Sequence, residues 1–451
     1  MQITTEELAV RFTDLHPAFD SQSAIVESNR CLYCFDAPCA TACPTHIDVP
    51  RFIKKIATAN LRGSALAILE ANILGASCSR VCPVDVLCEG ACVLHRYNKQ
   101  PIEIGRLQRY AMDHFYSNGA RLPFTPAPDR TQRVACIGAG PAALACAVEL
   151  RKRGYPVTIF DSRPLGGGLN TYGIAEYKLR PADSLKEVDL VRSLGVEFHF
   201  GTTIGSDVSL EDIERDYSAI FLAIGLGPTG PLNIPGEDLA GVVDALRFIA
   251  DYKTDRKIPL GRRVVVIGGG NTAIDAANAA QRLGAEHVSL VYRRSEREMP
   301  AFSFEYEHSK QEGVHFEFQT QPVAIHAKPG DSRSVGSLEC ARIELGEPDH
   351  KGRRQPRPRD GVTFHIECDM VIPAIGQSRF LDFLASCRGI EVHDGSVAID
   401  PETGRTSNPR YYAGGDCVNG GREVVDAVAE GKRAGVAMAK ALEQQQEVRH
   451  G

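Results

Sequence analysis

The chain has 451 residues, 43% of them hydrophobic and 24% charged, and a net charge of −6. That composition is globular, the length allows two to four domains, and the acidic balance excludes a general nucleic-acid binder. The start, MQITTEELAV, lacks the basic residues and apolar core of a signal peptide, and no apolar run approaches the ~20 residues of a membrane helix, so a cytoplasmic protein is expected.

Of 14 cysteines, eight fall between residues 31 and 92. A reducing compartment disfavours disulfides, so the clustering points to metal. The first group is Cys31, Cys34, Cys39 and Cys43, followed by Pro44; the second is Cys78, Cys82, Cys88 and Cys92, with Pro83 inside it. Iron–sulfur clusters take four ligands, mostly thiolates, and the last cysteine of a C-P run often serves the other cluster of a pair. Two groups therefore suggest two clusters with exchanged ligands. Structural zinc is the alternative, but it favours paired C-x2-C knuckles, and only Cys31 and Cys34 have that spacing. Between the groups, Val49 to Leu74 has apolar residues at helical spacing, with a break expected at Gly63-Ser64, and Ile104 to Phe115 reads as a further helix. The Pro-rich segment Leu122 to Asp129 reads as a linker.

Val134 to Asp161 reads as strand, glycine turn, helix and second strand. Gly138 suits the tight turn, Gly140 lets a pyrophosphate approach the backbone, and Pro141, Ala142 and Ala143 open a helix whose N-terminus faces the phosphates. Asp161 ends the second strand, placed to accept from ribose hydroxyls. Gly166 to Gly168 and Leu169 follow as backbone open to a ligand. Ala219 to Gly225 (AIFLAIG) reads as a buried strand ending in glycine, and the pattern recurs at Met370 to Gly376 (MVIPAIG), which contains Ala374.

The dinucleotide pattern repeats at Arg263 to Tyr292, with Gly268, Gly270 and Ala273 as G-x-G-x-x-A and Asn271 and Thr272 opening the helix. Where the first copy has Asp161, the second has Arg293 and Arg294. An acid suits a free ribose hydroxyl and an arginine suits a 2′-phosphate, so the first copy reads as an FAD site and the second as an NADP site. Arg297 is a further phosphate candidate. A solvated basic patch is the other reading of the pair, and it leaves NADH open beside NADPH. His326 to Gly361 is polar and reads as hairpins and loops, with the basic run Arg353 to Arg359 as a solvated loop. In Tyr411 to Leu442, Asp416 follows Gly414-Gly415 at a strand end, where it suits a ribityl hydroxyl. A helix starting near Glu423, with Val424, would aim its positive end at the flavin ring.

From about residue 25 to 442 the chain resembles the electron-input module shared by dihydropyrimidine dehydrogenase and the small subunit of glutamate synthase. The cysteine order, both G-x-G-x-x-A turns, the GGL at Gly167 to Leu169 and the AGGD at Ala413 to Asp416 carry the likeness. LGASCSRVCP around Cys78 and PIEIGRLQ before Arg109 are similar to the dihydropyrimidine branch. That resemblance implies one [4Fe-4S] cluster on Cys31, Cys34, Cys39 and Cys92 and another on Cys43, Cys82, Cys88 and Gln108, with Cys78 unligated. Where the family often has G-I-P-x-x-R-L-P, this chain runs from Gly173 to Pro181 with Lys178 in the arginine's place near the flavin.

The expected fold is α/β: two Rossmann-like, glutathione-reductase-like domains preceded by an α-helical iron–sulfur domain. The expected divisions are 1–125 for the clusters, 126–235 and 379–451 for FAD, and 236–378 for NAD(P)H. The cofactors carry the hydride and electron chemistry, so no catalytic side chain is expected. Animal dihydropyrimidine dehydrogenases continue into an FMN barrel and a ferredoxin-like tail, which this chain lacks. The resemblance therefore implies a separate FMN-containing iron–sulfur partner, in a hetero-oligomer, that reduces uracil or thymine. A glutamate synthase small subunit or another NADPH-dependent iron–sulfur reductase is the alternative.

Overall fold

A computed structural model of the chain describes residues 4–122, 124–255, 260–348 and 354–450. The N-terminal part is helical: α1 (Thr5–Arg11), α2 (Ser21–Asn29), α3 (Pro38–Thr41), α4 (Val49–Ala57), α5 (Leu61–Ala71), α6 (Gly75–Val81) and α7 (Ile104–Ser117). Apolar spacing sets their inner faces. Phe52, Ile53 and Ile56 of α4, Ala65, Ile68 and Leu69 of α5, and Leu107, Ala111, Met112 and Phe115 of α7 are all buried. The break between α4 and α5 falls at Thr58 to Asn60, not at the expected Gly63-Ser64. Ala59 takes a left-handed φ of 58° and Asn60 caps α5, its side chain accepting from the Gly63 amide at 2.9 Å. A Cβ on Gly63 would stand 2.7 Å from the Asn60 side chain, so this glycine makes room for the cap inside the helix.

Two compact units follow from the contacts. One comprises Asp14–Thr171, Lys178–Leu226 and Arg379–Gly451; the other comprises Tyr172–Tyr177, Gly227–Ser378 and the N-terminal segment up to Thr13. In the first unit, β1 (Val134–Ile137), α8 (Pro141–Lys152), β2 (Val157–Asp161), α9 (Leu169–Tyr172), α10 (Pro181–Arg192), β3 (Glu197–Phe200), α11 (Leu210–Asp216) and β4 (Ala219–Leu222) run in order. The last strand of its parallel sheet, Tyr411–Ala413, comes from the C-terminal stretch and pairs with β4, giving the order Tyr411–Ala413, β4, β1, β2, β3. Of the linker, Pro123 lies outside the described residues; the part from Phe124 to Asp129 has no helix or strand, and Asp129 is tied to Arg151 at 2.8 Å.

The second unit holds α12 (Ala245–Ala250), β5 (Arg263–Ile267), α13 (Asn271–Leu283), β6 (His287–Tyr292), α14 (Ser303–Gln311) and β7 (His315–Phe318). Three long strands follow, β8 (Thr320–Lys328), β9 (Asp331–Pro348) and β10 (Arg354–Glu367), then β11 (Met370–Pro373). β11, β5, β6 and β7 form a parallel sheet, and β10, β9 and β8 an antiparallel one. The expected loop over the basic run is a strand: Arg357 pairs with Glu344 and Pro358 with Ile343. Residues 349–353, including Arg353, lie outside the described residues. Prolines 356 and 358 hid the strand, and they are tolerated because β10 is an edge. α1 belongs here too, since Arg11 donates to the Leu283 carbonyl at 2.6 Å and Phe12 stacks on Tyr252 at 5.2 Å.

The chain closes in the first unit with α15 (Leu381–Ser386), a hairpin of β12 (Val392–His393) and β13 (Ser396–Val397), β14 (Tyr411–Ala413), α16 (Asp416–Asn419) and α17 (Val424–His450). Small residues bring α17 against α8. A Cβ on Gly431 would meet the Ala142 carbonyl oxygen at 2.0 Å, and one on Gly435 the Cys146 carbonyl oxygen at 2.7 Å. Backbone cannot yield as a flexible side chain does, so this contact requires glycine. Gly431→Ala is expected to cost about 1–3 kcal/mol of stability and to lower the flavin bound per chain; an unchanged thermal midpoint and flavin content would contradict this packing.

Candidate cofactor sites

The fold returns Cys92 to the first cysteine group. A small cavity is lined by Cys31, Cys34, Cys39 and Cys92, with Val49, Ile53 and Ile104 among its apolar walls. Burial, and then Cys31 and Cys92 nearby, push the Cys39 thiol up to about 12; Cys31 is raised by burial and by Cys34 and Cys92. In the other group Cys82 is raised by a contact with Cys78, by burial, and by Cys88 and Cys43. Cys78 also receives the Asn72 amide at 3.2 Å. Gln108 is buried on α7 and donates its amide nitrogen to the Gly75 carbonyl at 2.7 Å.

Among the described residues no three cysteine sulfurs come within 4.8 Å of one another, although a histidine–glutamate group elsewhere does. Tetrahedral zinc with bonds near 2.3 Å would hold thiolates roughly 3.8 Å apart. No three of the described cysteine sulfurs are drawn together at that spacing in this structure.

The cysteine helix is clasped by the flavin half. Glu187 of α10 accepts from the Ala76 and Ser77 amides at 2.9 and 3.0 Å and from the Ser77 hydroxyl, at the start of α6. Arg80 on the same helix meets Asp113 at 2.5 Å and Asp183 of α10 at 3.7 Å. Sequence reasoning missed Glu187, because its partners lie about a hundred residues away.

The first nucleotide turn has the expected shape. Gly138 has a φ of 99°, and a Cβ there would strike the Ala223 carbonyl oxygen at 2.2 Å. At Gly140 a Cβ would meet nothing within 4 Å, so open space lies above the backbone at the head of α8. Gly168 closes on it, its Cβ position only 2.9 Å from the Gly140 Cα, and leads into Leu169 at the start of α9. Pro141 and Ala142 form the first turn of α8. Asp161 sits at the end of β2, its carboxylate accepting from the Ala139 and Arg163 amides at 2.7 and 2.8 Å. Burial raises its pKa. Lys178, half-buried, stands six residues before α10's Ser184.

Across the sheet, Gly415 (φ 79°) precedes Asp416, whose pKa burial lifts to about 6. Glu430, six residues beyond Val424 on α17, accepts the Gly415 amide at 2.6 Å and the Asn419 side chain at 3.2 Å. It ties the aspartate's loop to the helix, and no local motif marks it.

In the second unit Gly268 repeats the close approach, its Cβ position 2.3 Å from the Ala374 carbonyl oxygen, and the space above Gly270 is open. Asn271 and Thr272 open α13, with the Asn271 side chain accepting the Phe302 amide at 3.0 Å. Ala374 donates to the Ile267 carbonyl at 2.8 Å, and Gly376 has a φ of 106°. Arg293 and Arg294 stand just beyond β6. Arg294 donates to the Arg354 carbonyl at 3.0 Å. Arg293 and Arg297 are exposed.

Residues 8–120 match the family described as dihydropyrimidine dehydrogenase domain II, 4Fe-4S cluster, and residues 132–431 match pyridine nucleotide-disulphide oxidoreductase. The chain is 39% identical over 435 residues to the NADP(+)-dependent formate dehydrogenase subunit beta of Moorella thermoacetica, across 90% of this chain but 60% of that protein. It is 36% identical over 441 residues to the glutamate synthase [NADPH] small chain of Escherichia coli, across 94% of this chain and 93% of that one. The fold is like that of FprA from Mycobacterium tuberculosis, with a TM-score of 0.59 and 21% identity over 71% of this chain and 86% of that one. The chain thus carries the sites of a flavin and iron–sulfur protein, for FAD, NADPH and [4Fe-4S] clusters. It belongs to the pyridine nucleotide-disulphide oxidoreductases, in the electron-input family that includes the glutamate synthase small chain. No helix among the described residues is long and apolar enough to cross a membrane.

Glu187 gives a pH signature. Burial raises its pKa from 4.5 to about 7. The folded state therefore holds this proton more tightly than the unfolded chain, so its contribution is greatest below pH 4.5 and is lost as pH rises towards about 7. The stability advantage of the wild type over Glu187→Gln should shrink by up to about 3 kcal/mol across that window. Thermal midpoints of both proteins against pH check this, and a difference independent of pH would contradict it.

Proposed function

We propose that the chain is the electron-input subunit of a two-component oxidoreductase. It oxidises NADPH and supplies electrons to an FMN-containing iron–sulfur partner of the dihydropyrimidine dehydrogenase type, which reduces uracil or thymine to the 5,6-dihydropyrimidine. When bound, the nicotinamide supplies hydride, the flavin accepts it and the clusters carry single electrons.

The observation that carries the choice of branch is the setting of Gln108. A carbonyl can only accept, so the Gly75 carbonyl holds the amide nitrogen and turns the amide oxygen away, free to ligate iron. In this reading Cys43, Cys82, Cys88 and Gln108 hold one cluster and Cys31, Cys34, Cys39 and Cys92 the other, with Cys78 left unligated beside Asn72.

Gly138, Gly140, Pro141 and Ala142 receive the FAD pyrophosphate, Asp161 its ribose, and Gly168, Leu169 and Lys178 the ring side. Gly415 and Asp416 hold the ribityl chain, and the start of α17 at Val424 favours negative charge on the ring. Gly268, Gly270, Asn271, Thr272, Ala374 and Gly376 receive NADPH, and Arg293, Arg294 and Arg297 its 2′-phosphate. The corresponding divisions are 1–125, 126–235 with 379–451, and 236–378.

A glutamate synthase small chain is the second reading, favoured by the near end-to-end match to the Escherichia coli protein. The two separate when the holoprotein is mixed with an FMN-containing dihydropyrimidine-type subunit and, in parallel, with a glutamate synthase large chain. Uracil-dependent NADPH oxidation is expected in the first mixture only. Activity confined to the second would replace the first reading with the second.

The coenzyme site has its own check. Arg293→Ala with Arg294→Ala should raise KM for NADPH at least about tenfold, the loss of one charge-assisted contact or more, and leave KM for NADH nearly unchanged. Equal losses for both coenzymes would remove the 2′-phosphate role.

A further inference from the structure

The outer face of the antiparallel sheet carries a group that none of the cofactors uses. His326 on β8, Glu339 on β9 and His365 on β10 each offer a ligand atom, and these atoms lie within 4.8 Å of one another. Register explains the meeting. His365 is directly opposite Glu339 across the β9–β10 pair, and Glu339 is paired with Ala324, two residues before His326 on the same face of β8.

The alternate residues point the other way. Ile325, Leu338 and Cys340 are buried in the core with Val265 and Val371, and Phe364 and Ile366 pack against it. A slip of one residue in any strand would turn that apolar set to solvent, so the core holds the register and with it the three polar side chains.

We propose that His326, Glu339 and His365 form a binding site for a late first-row divalent cation of the zinc class. Two imidazoles and a carboxylate are a ligand set suited to Zn2+, and they discriminate against Mg2+ and Ca2+, which take oxygen ligands. Two of the donors are already near ligand spacing, with His326 Nε2 2.8 Å from Glu339 Oε2. Around tetrahedral zinc, bonds of about 2.0–2.2 Å put ligand atoms roughly 3.3 Å apart. The His365 ring, 5.1 Å from the His326 ring centre to centre, reaches that spacing by rotation of an exposed side chain. Ser337 Oγ lies 3.3 Å from His365 Nδ1 and steadies the ring, as outer partners of metal-bound histidines do. The fourth position faces solvent and is left to water.

The site would cross-link β8, β9 and β10. The three residues belong to the second unit and the cysteine sets to the first. The test uses tag-free holoprotein with its clusters and flavin loaded, equilibrated with Zn2+ by dialysis and assayed for zinc, iron and flavin per chain. One equivalent of zinc is expected on the wild type, lost in His365→Ala and in His326→Ala, with iron and flavin unchanged. In direct titration with Zn2+, Glu339→Gln should bind at least about tenfold more weakly, and Mg2+ should not compete. Because the three residues are on the outer face of the sheet, the variants should keep the wild-type thermal midpoint without zinc and fail to gain from its addition. Wild type without bound zinc, or variants that retain the same equivalent, would overturn the assignment.

Discussion

A buried carboxylate holds the iron–sulfur head to the flavin half. Glu187 lies inside the first unit, fully shielded, and accepts from two backbone amides and one hydroxyl at the start of α6. Those amides belong to the first turn of a helix, where no intrahelical carbonyl can satisfy them. The carboxylate thus meets a need that the fold creates, and three donors offset part of its desolvation. Because α6 carries Cys78 and is capped by Cys82, the same contact sets where these cysteines stand relative to the helix α10 of the flavin half. Arg80 adds a second tie from α6 to Asp183 of α10.

Around that clasp the flavin cradle is built by close backbone contact. α8 presents alanines and Cys146 towards α17, and α17 answers with Gly431 and Gly435, so the two helices approach to a separation that no side chain would permit. The approach brings together the phosphate turn at one end of α8 and the Asp416 loop near the start of α17. Glu430 sits on α17 one residue before Gly431 and holds that loop through the Gly415 amide. Packing and polar contacts on one helix therefore serve the same end, the placement of Asp416 against the sheet.

What could be read in the residue order is local. Both glycine turns, the acid at Asp161, the arginines after β6 and the two cysteine groups announce themselves within some thirty residues, and the structure places the turns, the acid and the arginines at the expected strand or helix ends. Four features were not legible. Gly63 looks like a breaker until Asn60 is seen to cap over it. Glu187 and Glu430 look like surface acids until the amides they accept from are found. The prolines of β10 read as a loop because proline argues against a strand, and only its place at the sheet edge reconciles the two. Gln108 falls between these cases: the helix carrying it was evident from its periodicity, but the orientation of its amide follows from the Gly75 carbonyl alone.

If electrons leave the flavin through the head, the clusters must take them up when NADPH is the sole reductant. Anaerobic addition of NADPH to the holoprotein, followed by optical and low-temperature EPR spectra of the same sample, reads both centres at once. The expected result is loss of flavin absorbance together with the signal of reduced iron–sulfur clusters. Bleached flavin with no paramagnetic iron, in a protein shown to contain its full iron and sulfide and mixed with its partner subunit, would contradict the path described here.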